Sequence, residues 1–355
     1  MKKIYYITAV FATLFLVGCG DGIDLPGVNV ETDLNKIPLP DNNVNLEQVE
    51  LKPSTEPMLH EGLHTEEDFQ RIRDKKAAGE EPWVSAYQLL VESQFSQKTA
   101  DTYPTEWIKR GVSGDENYMN AARGATIAYQ QALRWKIEQD DEYAAKAVEN
   151  LNKWVQTCVG VTGNTNLSLA AGLYGYEFAI AGELLRDYGG WDRADFAAFQ
   201  NWLLKVFYPA NDDFLKRHHD TNALHYWANW CLCNIAAKMA IGIVTDRRDI
   251  YNEGIAHLQT GDTNGRLRRA IYHDYAPDYN FAQWQESGRD QGHTLMCVGL
   301  MGIICQLAWS QGDDFFAYDD NLFLRACEYA ACCNYTNETV PYTTYIWQKQ
   351  SQWGY

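Results

Sequence analysis

Proline is scarce in the body of this 355-residue chain, which contains ten prolines in all. Residues 105–208 and 210–276 contain none, so two long stretches can form helices without interruption. Alternation of apolar and polar residues with period two, the pattern of a half-buried strand, is also missing over any long stretch. These absences argue against a major sheet and favour an all-α protein.

Motifs with metal-ligand spacing are absent as well. The chain has no Cys-x-x-Cys and no His-Glu-x-x-His, so we expect neither a metal nor another cofactor. The cysteines that follow Cys19 are even in number, which in an exported protein suggests disulfides. Cys231/Cys233 and Cys332/Cys333, however, lie in helical apolar runs where neighbouring side chains point to different sides. We therefore predict buried free thiols.

Positive charge is in short supply, because 30 Lys and Arg stand against 47 Asp and Glu, a formal net charge of −17. This balance argues against nucleic-acid binding. The window of residues 216–293 differs, since its charges cancel and it holds six of the eight histidines. An acidic chain that gathers imidazoles and guanidiniums in one stretch is predicted to bind an anion and to move protons there.

The N-terminus is typical of a bacterial export signal. Lys2 and Lys3 precede an apolar run over residues 4–17 that is too short for a permanent membrane span. The run ends in Leu-Val-Gly-Cys, which resembles a lipobox and predicts Cys19 as the lipidated first residue. The alternative is an ordinary signal peptide with a chance cysteine. No later segment is apolar enough to cross a bilayer, so we expect an exported lipoprotein, held by its lipid alone and facing the periplasm or the cell surface.

Three regions follow from this reading of the chain. Residues 1–18 are the predicted signal peptide, and residues 19–57, which hold five of the ten prolines, are a predicted flexible tether. Residues 58–355 show no second linker and are predicted to form one domain. Helices of similar length joined by short polar loops predict an (α/α) toroid, or an incomplete barrel, of helical hairpins. The aromatic share of 13% fits a carbohydrate-binding cleft and a large aromatic core equally well.

Residues 218–230 form the first run with side chains suited to catalysis. A helix that began near Asn222 would place four polar side chains on one face. Burying such a stripe costs desolvation free energy, which favours a functional site. The four are Asn222, His225, Tyr226 and Asn229. Alternatively, Asn222 caps the helix and His225 is a hydrogen-bonded, half-buried histidine.

The second and third runs add cations beside acids. Residues 266–275 hold three arginines followed by Tyr272, and nearby positive charge lowers the pKa of a phenol, which makes it a usable acid or base. A solvated basic loop fits that run equally well. In residues 283–293, a helix would place four charged side chains on one face, which either line a site or pair with one another. They are Glu286, Arg289, Asp290 and His293.

These runs resemble the alginate lyase superfamily. Asn-x-x-His-Tyr-Trp (222–227) and Asp-Arg-Arg-Asp (246–249) are similar to motifs of polysaccharide lyase family five, and Arg-Ala-Ile-Tyr-His-Asp-Tyr (269–275) is similar to the motif with its catalytic tyrosine. Residues 283–293 look most like the family-thirty-eight lyases of Bacteroides-type bacteria. The resemblance extends from about residue 60 to the C-terminus. A complete relative is expected to be longer, so an incomplete barrel remains an alternative to a closed toroid.

The resemblance implies an (α/α) toroid that cleaves an acidic polysaccharide by β-elimination, without a metal. The expected substrate is either a mannuronate-rich alginate or glucuronan. In this reaction the carboxylate beside C5 is neutralised, a base removes the C5 proton, and an acid protonates the departing O4. Carried over by motif, Tyr272 is the acid and His225 the base, while Asn222 and Arg266 neutralise the carboxylate.

Several assignments stay open. Tyr272 serves as both acid and base in the same-face geometry, His219 rivals His225, and Arg268 or Arg269 rivals Arg266. The predicted substrate-binding residues are Arg269, Gln285, Glu286, Arg289, His293, Tyr226, Asn229, His219 and Tyr176. Two other functions compete with a lyase. One is a non-catalytic lipoprotein that binds acidic glycans on the same scaffold, and the other is a hydrolase with two carboxylates across the scissile bond, drawn from Asp220, Glu286 and Asp290.

Overall fold

The computed structural model of the protein describes residues 54–335 and 340–343, and helices dominate them. The predicted signal peptide, Cys19 and nearly all of the tether lie outside these residues. The helices are α1 (Glu66–Ala77), α2 (Trp83–Glu92), α3 (Tyr118–Glu138), α4 (Asp141–Thr157), α5 (Leu167–Leu184), α6 (Arg193–Val206), α7 (Tyr208–Arg217), α8 (Ala228–Val244), α9 (Arg248–Thr260), α10 (Leu267–Ala270), α11 (Gln291–Ser310) and α12 (Tyr318–Tyr335).

Strands are few and short in the described part of the chain, as predicted. They are β1 (Trp107–Arg110), β2 (Gly160–Gly163), β3 (Ile271–Asp274) and β4 (Ala282–Trp284). The first two pair in parallel and the last two pair antiparallel, which makes two sheets of two strands each. The described residues also include three turns of 3₁₀ helix, at Gln94–Ser96, His218–Asp220 and Gln285–Gly288.

Contacts within the chain divide it into two compact units. Within the described residues, the N-terminal unit comprises residues 54–222 and Cys233–Ala256, and the C-terminal unit comprises Ala223–Leu232 and the residues from His257 onward.

The N-terminal unit is built around α5, which is buried along almost its whole length. Four aromatic rings pack there at centroid distances of 5.1–5.9 Å, tilted or edge-to-face as aromatic quadrupoles prefer; they are those of Trp154, Phe178, Trp202 and Phe207. Gly124 on α3 is needed here, because a Cβ at that position would lie 2.2 Å from the Trp154 indole nitrogen. That nitrogen donates to the carbonyl of Thr102 at 2.9 Å, so the ring is held in place.

The helices of this unit begin where the sequence supplies side-chain acceptors. Thr65 and Asp68 form a capping box at the start of α1, and Asp140 accepts from the backbone N–H of Glu142 at the start of α4. On α4 the apolar positions predicted from helical spacing, Tyr143 and Trp154 among them, are buried. Local propensity and packing therefore agree over this part of the chain.

In the C-terminal unit, the β3–β4 hairpin is attached to α12. Trp284 on β4 is fully buried, and its indole N–H donates to the carbonyl of Ala326 at 2.9 Å. Helix α11 carries one of the most apolar stretches of the described chain. It is long and apolar enough to span a membrane by length and composition, so the prediction that no later segment meets that test is wrong. Most of α11 is buried inside the protein, as in a core helix.

The prediction of free thiols is confirmed for the cysteines of the described residues, but Cys327 and Cys333 are only partly buried. All eight within the described residues are free thiols, and six of them are buried. Burial raises the pKa of Cys297 and Cys305 well above that of an ordinary thiol, so they are inert neutral groups.

Candidate active site

The backbone before α8 is not helical, which corrects the polar stripe predicted from residue 222 onward. Helix α8 begins at Ala228, so Asn222, His225 and Tyr226 precede it in turns and bends. The three residues His218–Asp220 instead adopt left-handed backbone angles, with φ of 49°, 52° and 59°. Non-glycine residues pay about 1–3 kcal/mol each for such angles, and strained stretches of this kind cluster at functional sites.

The three candidate histidines have different surroundings. In the N-terminal unit, His218 is buried and stacks on Phe214, whereas the half-buried ring of His219 lies 3.0 Å from the hydroxyl of Ser168 through Nε2. In the C-terminal unit, His225 is exposed, and its ring contacts that of Tyr226 at 4.9 Å. An exposed imidazole is accessible to a substrate, which suits the predicted base.

The side chains of Gln285 and Glu286 accept hydrogen bonds from the first residues of α8. Gln285 Oε1 accepts from the backbone N–H of Ala228 at 2.8 Å. Glu286 Oε1 accepts from the backbone N–H of Asn229 at 3.0 Å and from its side-chain amide at 2.6 Å. Both acceptors come from 57 residues away in sequence. They satisfy the first N–H groups of the helix, where its dipole also favours negative charge.

Glu286 is completely buried. Burial raises the pKa of its carboxyl, while hydrogen bonds from Asn229 and the charge of Arg289 oppose that rise. The Cys297 thiol lies 3.2 Å from Oε1, and Arg289 Nη1 lies 3.0 Å from Oε2. A carboxylate with no exposed surface and this set of donors stabilises the fold. This corrects the predicted placement of Gln285, Glu286 and Asn229 among substrate-lining residues, because none of the three exposes more than 2% of its surface.

Arg289, Asp290 and His293 do meet, although not on one helix face as predicted. Glu286 lies in a 3₁₀ turn, Arg289 follows that turn, and Asp290 caps α11 by accepting from the backbone N–H of His293 at 2.8 Å. The carboxylate of Asp290 also lies 2.7 Å from His293 Nδ1. The guanidinium of Arg289 covers the ring of Trp227, 5.0 Å from its centroid. Arg289 and His293 are part-exposed, so both remain available to a ligand.

Tyr272 lies at an irregularity of the β3–β4 hairpin. Ile271 pairs with Trp284 and His273 pairs with Gln283, so Tyr272 is the extra residue of a β-bulge. Bulges are common next to active sites because they re-aim a side chain. The buried amide of Gln283 donates to the Tyr272 hydroxyl oxygen at 3.2 Å. A donor aimed at a phenol oxygen stabilises the phenolate, the form that a tyrosine acid must leave behind.

A short C-terminal segment, residues 340–343, also reaches Tyr272. The Tyr272 hydroxyl donates to the carbonyl of Thr343. The Gln283 side chain donates to that carbonyl at 3.0 Å and accepts from the Thr343 N–H at 2.8 Å, and the Tyr275 hydroxyl donates to Gln283 Oε1 at 2.6 Å. The phenol is therefore positioned by a closed set of hydrogen bonds. Gln283 and Thr343 were not among the predicted site residues. The only signal for either was that Gln283 is the first residue of the recognised run 283–293.

The three arginines before Tyr272 separate into two kinds. Arg268 forms ion pairs with Asp319 and with Asp274, the latter at 3.8 Å. Over the ranges 54–335 and 340–343, the side chains of Arg266 and Arg269 form no hydrogen bond or ion pair. Both are half-buried. An anionic ligand would therefore find two unneutralised guanidiniums beside Tyr272 in sequence, and Arg268 is the weakest of the three candidates.

Two tyrosines predicted to bind substrate are buried. Tyr176 on α5 is 2% exposed and Tyr226 is 8% exposed, and Tyr226 packs against the ring of Trp230 at 4.7 Å. Their rings support the surrounding structure, which corrects the prediction of direct substrate contact. Among the described residues, no three His, Cys, Asp or Glu side chains are grouped to hold a metal ion.

Comparison with known families identifies the chain. A family model described as Alginate lyase matches residues 72–338, which is most of the sequence. The chain therefore belongs to the alginate lyase family. No curated protein matches it significantly.

Solved structures of one enzyme share the fold. The crystal structure of alginate lyase A1-III from Sphingomonas species A1 is 13% identical with a TM-score of 0.54, covering 81% of this chain and 85% of that chain. A tyrosine-to-phenylalanine variant of A1-III complexed with tetrasaccharide is 14% identical with a TM-score of 0.54, covering 78% and 82%. A histidine-to-alanine variant, also complexed with tetrasaccharide, is 14% identical with a TM-score of 0.52, covering 78% and 81%. The predicted fold class, an all-α (α/α) toroid of helical hairpins, is confirmed.

Glu286→Ala should destabilise the protein by about 1–3 kcal/mol, because it leaves the buried donors of Asn229 without their acceptor and removes the ion-pair partner of the part-exposed Arg289. Glu286→Gln, which keeps one acceptor oxygen, should cost less. Urea denaturation monitored by circular dichroism measures both. An Ala variant with wild-type stability would contradict the structural role of this carboxyl group.

Proposed function

We propose that this protein is a polysaccharide lyase that cleaves a uronate-containing polysaccharide, alginate or glucuronan, by β-elimination. Membership in the alginate lyase family and the shared fold support lyase chemistry. The observation that carries the proposal is the placement of Tyr272. It is a bulged residue, its hydroxyl oxygen accepts from a buried amide, and just before it in sequence lie Arg266 and Arg269, whose side chains form no ion pair within the described part of the chain.

The chemistry assigns a task to each group. Arg266 neutralises the uronate carboxylate, which makes the C5 proton acidic enough to remove. When that proton lies on the face opposite the acid, His225 takes it and Tyr272 starts as the neutral phenol. In the same-face geometry Tyr272 starts as the phenolate and takes the C5 proton itself. Tyr272 then gives its proton to the departing O4, and the donor amide of Gln283 stabilises the phenolate that forms. The hydroxyl exchanges its hydrogen bond with Thr343 for one with the substrate.

Two features of the A1-III complexes support these roles. Tetrasaccharide was bound to a variant of A1-III that lacks a tyrosine hydroxyl and to one that lacks a histidine ring. Our proposal assigns the acid and the base of this protein to the same two residue types, a tyrosine and a histidine. We also propose that the chain belongs to the family-thirty-eight branch, which the Gln-Glu-Ser-Gly-Arg-Asp-Gln-Gly-His run of residues 285–293 supports.

Tyr272→Phe should lower the turnover by roughly 10²–10⁴-fold, the usual contribution of a general acid or base. The measurement is ultraviolet absorbance of the 4,5-unsaturated uronate, with poly-mannuronate, poly-guluronate and glucuronan offered separately. Binding of the polymer that is cleaved should survive the substitution. Wild-type protein that binds a polymer but forms no unsaturated product from any of the three would contradict the lyase and support the non-catalytic glycan-binding alternative.

Arg266→Gln should lower kcat/KM for the cleaved polymer by roughly 10–100-fold, since a charge-assisted contact to a carboxylate is worth about 1.5–3 kcal/mol. Arg268→Gln is the matched control, because Asp319 already neutralises that arginine. It should change kcat/KM less than threefold. If Arg268→Gln has the larger effect on kcat/KM, the assignment of the carboxylate-binding arginine is wrong.

We also propose that the protein is an exported lipoprotein anchored through Cys19, which the Leu-Val-Gly-Cys run supports. Cys19→Ser should abolish labelling of the full chain by a fatty-acid analogue in a bacterial host and should release the protein from the membrane fraction. Labelling that persists in Cys19→Ser would overturn the anchor.

A further inference from the structure

Residues 340–343, here called the strap, engage the hydroxyl group of Tyr272 in a hydrogen bond. The carbonyl of Thr343, at the end of the strap, accepts from that hydroxyl. The same carbonyl accepts from Gln283 Nε2 at 3.0 Å, and that nitrogen also lies 3.2 Å from the phenol oxygen. The phenol proton thus points at a main-chain carbonyl, and the Gln283 amide is shared between two acceptors. Both groups become available to a substrate only when the strap moves.

The strap lies near the surface of the C-terminal unit. Its four residues are each partly exposed, and none of them lies in a helix or a strand. The Tyr329 hydroxyl on α12 donates to the carbonyl of Pro341 at 2.9 Å, and Val340 packs against the apolar cluster that contains Tyr329. At the other end, the Thr343 N–H donates to Gln283 Oε1 at 2.8 Å. Irregular, partly exposed segments of this kind open locally at a small cost in free energy, so the strap can lift while the unit stays folded.

The hydrogen bond to Thr343 is incompatible with the task of a general acid. A tyrosine hydroxyl has one proton and therefore donates one hydrogen bond. An acid must direct that proton at the leaving oxygen, within about 2.6–3.2 Å of it. While the Thr343 carbonyl accepts the bond, the proton of Tyr272 cannot reach O4 of the sugar. The form of the protein with the strap in place is therefore inactive when Tyr272 starts as the neutral phenol.

The strap also opposes the same-face reaction, in which Tyr272 starts as the phenolate. A carbonyl oxygen accepts a hydrogen bond from a phenol, whereas it repels a phenolate, so the Thr343 carbonyl favours the protonated form of Tyr272. Displacing the strap removes that carbonyl and leaves the Gln283 amide free to donate to the phenolate oxygen alone. One movement therefore prepares the tyrosine for either geometry.

We propose that residues 340–343 are an autoinhibitory strap, which the polysaccharide displaces from Tyr272 and Gln283 before it is cleaved. The sugar at the cleaved bond takes its place, and O4 of that sugar takes over the hydrogen bond of the tyrosine. This inference rests on the proposed function, in which Tyr272 is the acid. Substrate binds only the molecules whose strap is open, so its apparent affinity is lowered by the fraction that is open.

Loosening the strap should lower KM and leave kcat unchanged. Saturating substrate displaces the strap from every molecule, so kcat reports only the open form. Loss of one contact of the strap should raise the open fraction, and lower KM, by roughly two- to tenfold, the usual net effect of a single hydrogen bond. A segment that assisted catalysis would behave differently, since loosening it would lower kcat.

The test changes the strap at the end remote from the tyrosine. Tyr329→Phe removes the donor to Pro341 and keeps the buried ring, and Val340→Ser weakens the apolar contact. Both substitutions leave Tyr272 and Gln283 unchanged. Initial rates of unsaturated-uronate formation by the full chain, over a range of concentrations of poly-mannuronate, poly-guluronate and glucuronan, give KM and kcat. Each variant should lower KM roughly two- to tenfold at constant kcat, and the two combined should lower it further.

The matched control is Tyr251→Phe, which removes the hydroxyl of an equally buried tyrosine in the N-terminal unit. It should leave KM and kcat at their wild-type values. An unchanged KM in both strap variants, in proteins with wild-type circular dichroism, would overturn the strap. A fall in kcat at constant KM would also overturn it, because the segment would then be a working part of the active site.

Calorimetric titration of the same polymers separates this inference from the proposed lyase. Tighter binding by both strap variants, without unsaturated product from any polymer, would overturn the lyase and leave the strap standing as a control on binding. Product formed with one KM by the wild type and by both variants would overturn the strap and leave the lyase. Neither binding nor product with any polymer would overturn both.

Discussion

The buried carboxyl group of Glu286 is the constraint on which the C-terminal unit depends. Taking a carboxylate out of water costs several kcal/mol unless donors replace the lost solvent. Here the donors come from the start of α8, from α11 and from the residue after the 3₁₀ turn, namely Asn229, Cys297 and Arg289. One side chain thus fixes where α8 begins, and with it the path of the preceding residues 223–227.

The candidate site depends on that constraint through two short connections. Gln285 and Glu286 follow β4 directly, so the hairpin that carries Tyr272 is continuous with the groups that cap α8. Arg289, held by Glu286, in turn covers Trp227 beside His225. The proposed acid and the proposed base are therefore both attached to one buried hydrogen-bond network. Such attachment, together with the hydrogen bonds that Tyr272 makes to Gln283 and Thr343, keeps these side chains in a fixed geometry.

The two units handle buried acid groups in opposite ways. Glu286 is surrounded by donors and by a cation, which oppose the rise in pKa that burial causes. Glu177 has a phenol at 3.5 Å on one oxygen and no partner on the other. The first arrangement is complete as it stands and stabilises the fold. The second is incomplete, because one buried oxygen of the acid has no hydrogen-bond partner.

Much of the fold could be predicted from sequence because its signals are local. Proline-free stretches, side-chain caps such as Asp140, and apolar positions at helical spacing on α4 act over a few residues, and the helices follow them. The free thiols were predictable for the same reason, since neighbouring cysteines on a helix point apart. The runs around Tyr272 and Glu286 were visible as unusual groupings of cations, acids and a phenol.

The geometry of the site was decided by contacts between distant residues. No local pattern shows that α8 begins at Ala228, because the acceptor for its N–H lies 57 positions further on. The bulge at Tyr272 depends on pairing with Gln283, and the phenol's partner Thr343 is 71 positions away. The sequence by itself determined the helical class, the family and the residue types of the candidate site. Only the tertiary structure decided which of those side chains are buried supports and which are left with unpaired hydrogen-bonding groups, because burial and pairing depend on long-range contacts.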